Sequence, residues 1–79
     1  MKIHELKTLP EYFDAVFMGK KNFEIRQNDR DYKVGDYVEL QEHDLNKRFT
    51  GRKLIRQITY IFKGGKYGLD IDFVCLAIS

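Results

Sequence analysis

The stretch Gly19-Lys20-Lys21-Asn22-Phe23-Glu24-Ile25-Arg26 places a lysine, a glutamate and an arginine on one short segment. Three ionic side chains so close in sequence can converge on a single polar group. Read as a strand, the segment sends Phe23 and Ile25 to one face and Glu24 and Arg26 to the other. The apolar pair is expected to anchor the strand in a core, leaving Glu24 and Arg26 on the opposite face with Lys21 near its start, where all three can converge on one bound polar group. An arginine there can take phosphate or a base edge in a bidentate contact, and a glutamate can orient it or accept from an exocyclic amine. Lys20 precedes the cluster and Asn28, Asp29 and Arg30 follow it as a polar turn, so these four are candidate supports, with Asp29 pairing Arg30 or Arg26.

The elements that must hold this cluster are legible on either side. Leu9, Phe13, Val16 and Phe17 recur at helical spacing, so a helix of about ten residues is expected ahead of the motif. Thr8 and Glu11 fit a reciprocal capping box, Pro10 is tolerated in the first turn, and Gly19 supplies a left-handed stop. Strand character precedes the helix at Lys2–Lys7 and follows it at 22–27. Val34-Gly35-Asp36 reads as a turn, after which Tyr37–Glu42 alternates with Val38 and Leu40 inward and Glu39 outward. Asp44-Leu45-Asn46-Lys47 closes a hairpin into a long alternating segment from Phe49 to Phe62, with Gly51 marking a bulge or bend. Gly64-Gly65-Lys66-Tyr67-Gly68 is a loop, and Ile71–Ser79 ends the chain as an apolar strand. One helix and five or six short strands within 79 residues make a single α+β domain. A small β-barrel with the helix packed at an open side protects strand edges with few residues.

The net charge of +2 excludes nothing, but its distribution is uneven. Residues 1–44 carry seven basic and ten acidic side chains, whereas 45–69 carry seven basic ones and no acid. Arg52, Lys53 and Arg56 in that block are candidate phosphate contacts, or else a solvated face of the hairpin. Tyr12, Tyr32, Tyr37 and Tyr60 can offer stacking surface to bases or fill the core. Cys75 is the only cysteine, so no internal disulfide is possible and a reducing, cytoplasmic setting is expected. No stretch approaches the roughly 18 apolar residues of a membrane span. His4 and the Glu42-His43-Asp44 run lack metal-ligand spacing, so neither metal nor cofactor is expected. Gly64-Gly65-Lys66 does not match a phosphate-cradling P-loop.

The motif G-x-K-x-x-E-x-R, with the preceding helix and the following Val34-Gly35-Asp36, resembles the activating-signal-cointegrator homology (ASCH) family of PUA-like β-barrels, in its compact bacterial or phage branch. The resemblance extends to the Thr-Gly-Arg of the long hairpin and to the final apolar strand. It implies a cleft between helix and barrel, lined by Lys21, Glu24 and Arg26, that receives RNA or a nucleotide-like ligand. Some proteins of similar fold are amidohydrolases that release an acyl group from cytosine-type nucleosides. That implies an alternative in which Lys21 is the reactive amine or base and Glu24 its neighbour. Those enzymes carry Thr at the Glu24 position and draw an acid from a helical insertion; between Tyr60 and Ser79 this chain offers only Asp70 and Asp72. Binding without catalysis is therefore the leading expectation.

Overall fold

The computed structural model describes residues 1–79. Five strands and one helix follow in the order β1 (Ile3–Thr8), α1 (Pro10–Phe17), β2 (Phe23–Gln27), β3 (Tyr37–His43), β4 (Phe49–Lys63) and β5 (Phe73–Ile78). The strands form one sheet in the order β1-β3-β4-β5-β2, so the chain is α+β, with β1 and β2 as the two free edges. β1 runs parallel to β3, with Ile3 opposite Tyr37 and Thr8 opposite Glu42. A parallel pair needs a crossover, and α1 lies within it.

The fifteen-residue β4 serves both halves of the sheet. Its first part pairs with β3 and its last part with β5, both antiparallel. A register shift opposite Gln41–His43 coincides with Gly51, whose φ of 97° is in the region that glycine alone adopts cheaply. A second shift falls between Ile58 and Tyr60, where β4 passes from one partner to the other. The β3–β4 turn is held by Asp44, whose Oδ1 accepts from the backbone N–H groups of Asn46 and Arg48 at 2.9 Å each.

Strict alternation puts His4, Leu6 and Thr8 of β1, Val38, Leu40 and Glu42 of β3, and Val74, Leu76 and Ile78 of β5 on the inner face. Phe13 and Val16 of α1 complete the apolar core with Ile58 and Tyr32. The helix is eight residues long, and Leu9 and Phe17, expected on its buried face, are largely exposed. Its N-cap is Leu9, which makes no side-chain capping bond. The anticipated Thr8–Glu11 capping box does not form, because Thr8 ends β1 and faces inward, where its hydroxyl has a different partner. Gly19 has the positive φ expected of a helix stop.

Candidate functional site

The strand that carries the motif is turned over relative to the sequence expectation. Glu24 is only 4% exposed, whereas Phe23 and Ile25 are 42% and 51% exposed. The reason lies in β5. β2 is an edge strand with one neighbour, and its register sets Glu24 opposite Leu76, Arg26 opposite Val74, Phe23 opposite Ala77 and Ile25 opposite Cys75. Directly opposed residues share a face of the sheet. Leu76 and Val74 are among the most deeply buried side chains of the chain, so Glu24 and Arg26 are carried inward with them. Half-buried Cys75 lies on the outer face with Ile25, not in the core.

An inward carboxylate needs partners, since an uncompensated buried charge is costly. Lys21 Nζ donates to Glu24 Oε1 at 2.8 Å and also to the Phe23 carbonyl at 2.7 Å. Arg26 approaches the other oxygen, with Nε at 3.1 Å and Nη2 at 3.0 Å from Oε2. Nη2 also donates to Thr8 Oγ1 at 3.1 Å, bridging the facing edges β1 and β2. This is the partner that withdraws Thr8 from any helix cap. Arg26 Nη1 is left without a partner in the protein. The Lys21 ammonium sits over the rings of Phe23 and Tyr12, at 5.0 and 5.8 Å from their centroids, a cation–π arrangement.

Around this cluster opens a cleft of about 590 Å³, lined by Lys7, Thr8, Leu9, Tyr12, Lys21, Phe23, Glu24, Ile25 and Arg26. Three cations face one carboxylate whose two oxygens are already engaged, so the unspent charge is positive. Apolar and aromatic side chains form the remaining walls. Such a recess suits an anion attached to a flat or apolar body. Lys7, Thr8 and Leu9 were missed by sequence reasoning; their signal was the position of β1 at a sheet edge, which only pairing reveals.

Several other candidates lie outside the cleft. Lys20, Asn28, Asp29 and Arg30 do not line it, and Asp29 forms no ion pair with Arg26 or Arg30. Asn28 instead donates its backbone N–H to the Asp72 carbonyl at 2.7 Å. Of the hairpin cations, Arg52 is spent within the fold. Its Nη2 meets Asp14 at 3.1 Å, its Nη1 meets buried Glu42 at 3.5 Å, and its guanidinium lies 4.6 Å over the Phe13 ring, tying β4 to α1. Lys53 stands 3.9 Å from Glu39, and Arg56 Nη1 donates to the Ile55 carbonyl at 3.0 Å. Among the tyrosines only Tyr12 reaches the cleft. Tyr32 is buried against His4, and burial is the main cause that raises its phenol pKa, with the Arg30 charge opposing.

His4 and Asp36 form a second buried polar pair, with Nε2 and Oδ2 2.9 Å apart. Asp36 Oδ1 also accepts the Lys2 backbone N–H, and Oδ2 that of Lys33. The His4 bond first, and these amides after it, hold its carboxyl pKa at about 2. This pair fastens β1 to the turn before β3. No group of three or more His, Cys, Asp or Glu side chains is placed to hold a metal ion. No helix is long and apolar enough to cross a membrane.

Fold and site together define a compact one-helix α+β domain with a cationic, aromatic-walled cleft at the open edge of its sheet. Residues 3–78 match the family described as "Domain of unknown function (DUF3850)", and the chain belongs to that family. It is also 48% identical, over 58 residues, to the "Uncharacterized 12.9 kDa protein in GpA 3'region" of Escherichia phage P2. That alignment covers 73% of this chain and 52% of the phage protein, so the chain spans about half the length of the relative it matches.

Proposed function

We propose that this chain is a binding module for single-stranded RNA or a nucleotide, received in the cleft between α1 and the facing edges β1 and β2. The observation that carries the reading is the buried Glu24, which fixes Lys21 and Arg26 side by side at the cleft wall while leaving Arg26 Nη1 unspent. Preorganised cations beside exposed Tyr12 and Phe23 match a phosphate next to a base. The motif, the helix ahead of it and a five-stranded sheet whose two edge strands are bridged by Arg26 and Thr8 also support counting the chain among ASCH domains of PUA-like barrel type. Binding is preferred to hydrolysis of an acylated cytidine because two of the three Lys21 protons are directed at Glu24 and the Phe23 carbonyl, leaving one donor for a ligand. Neither oxygen of Glu24 is free to serve a leaving nitrogen.

Fluorescence anisotropy with a short labelled single-stranded RNA tests the reading. Binding is expected to be weak and to fall steeply as salt is raised from about 50 to 200 mM. Lys21→Gln keeps a donor for Glu24 but removes the charge; it should lower affinity about tenfold and reduce the salt slope by about one. Absence of binding by the folded wild type at low salt, or an affinity indifferent to Lys21→Gln, would overturn the proposal.

A further inference from the structure

Beside the cleft lies a second recess of about 350 Å³, lined by Lys7, Thr8, Leu9, His43, Asp44 and Lys47. Lys7, Thr8 and Leu9 line both recesses, so the two adjoin at the end of β1. The second recess repeats the chemistry of the first. Its one acid, Asp44, is turned to the amides of its own turn. Lys7 and Lys47 have no carboxylate partner in the protein and supply unspent positive charge. The His43 ring lines the recess and packs on half-exposed Phe49, which lies outside the lining, at a centroid distance of 5.6 Å. His43 Nδ1 lies 2.9 Å from the Gln41 carbonyl oxygen. A carbonyl can only accept, so Nδ1 carries a proton, and Nε2, which has no partner in the protein, is the ring atom left to meet a ligand.

We infer that the two adjoining recesses take at least two consecutive nucleotides of a single strand. One phosphate sits on Lys21 and Arg26, the next on Lys7 and Lys47, and His43 Nε2 hydrogen-bonds to the second nucleotide's sugar hydroxyl or base. Alternation of cations with aromatic faces across adjoining recesses is what a chain of phosphates and bases requires. A peptide would not demand the same excess of unspent positive charge at both ends. This inference rests on the nucleotide-binding reading, because it extends that site.

Calorimetric titration with uridine 5′-monophosphate and with the 5′-phosphorylated dinucleotide pUpU separates the two. The wild type should bind pUpU about tenfold more tightly than the mononucleotide, the gain expected of one added phosphate contact and base. Lys47→Glu, on an exposed turn, should erase that advantage and leave mononucleotide binding unchanged. His43→Gln, which preserves polarity should the hairpin be sensitive to a smaller side chain, should reduce it severalfold. Equal affinity of the wild type for both ligands, or an advantage that survives Lys47→Glu, would overturn the second subsite while leaving the first intact. Failure to bind either ligand would overturn both readings. A pUpU advantage retained with the deoxyribose dinucleotide would remove the hydroxyl from the role given to His43 and leave the base.

Discussion

Removing Arg26 should damage this domain more than removing the neighbouring phenylalanine, contrary to the usual ranking of a charged strand residue against an aromatic one. Arg26→Ala takes away every partner of Glu24 Oε2 and the only side-chain bridge between β1 and β2. Breaking one side of a fully buried ion pair costs about 3–5 kcal/mol. Here Lys21 still holds Oε1 and the Arg26 side chain is 22% exposed, which lowers the expectation to about 3 kcal/mol. Phe23→Ala, by contrast, deletes a ring that is 42% exposed, and scaling full burial by the hidden fraction gives about 1–1.5 kcal/mol. Urea unfolding followed by circular dichroism measures both. In a domain of this size each 1 kcal/mol moves Tm by about 4–8 °C, so the two variants should separate clearly in a thermal melt as well. The double variant Glu24→Leu/Arg26→Leu should recover much of the loss, because it leaves no buried charge behind. If Phe23→Ala proved as costly as Arg26→Ala, the orientation of β2 and the role of its carboxylate would both be refuted.

Asp36, with its folded pKa depressed to about 2 against an ordinary 3.8, contributes stability that is fully present above pH 4 and lost as pH falls through about 2. Tm measured across that window should drop for the wild type and drop less for Asp36→Asn. Arg52→Glu should loosen α1 by about 1 kcal/mol after allowance for its solvent exposure, seen as faster amide exchange in residues 13–17. Gly64→Ala would drive a Cβ into the Asp70 carbonyl and should cost several kcal/mol, on the order of 3, by chemical denaturation. Incubation with N4-acetylcytidine should release no cytidine by chromatography; release abolished in Lys21→Ala would instead assign catalysis to the cleft.

The sequence made the elements legible because their signals are local. Helical spacing at Phe13 and Val16, glycine at 19 and 51, and alternation through Val38 and Leu40 each act within a few residues. The membership of Lys21, Glu24 and Arg26 in one cluster was equally local. What could not be read was the face of β2. Phe-Glu-Ile-Arg alternates convincingly in either orientation, and the choice was made by Leu76 and Val74, about fifty residues away. The same distance hid the fate of Thr8, which competes between a helix cap and Arg26, and of Arg52, which is claimed by Asp14 and Glu42. Charge runs state how much charge exists; only pairing states how much of it is unspent.

The pairing of β2 with β5 also sets when the cleft can exist during synthesis. Residues 23–27 find their sheet neighbours only at 73–77, a loop of about fifty residues whose closure carries an entropic cost before any contact rewards it. While the ribosome has released β1, α1, β2 and β3, the motif has no strand to fix its orientation, and Glu24 remains in water. Binding competence should therefore appear late and abruptly, once residue 78 has cleared the exit tunnel, and a ligand captured by an arrested nascent chain would report the completion of the sheet's last edge.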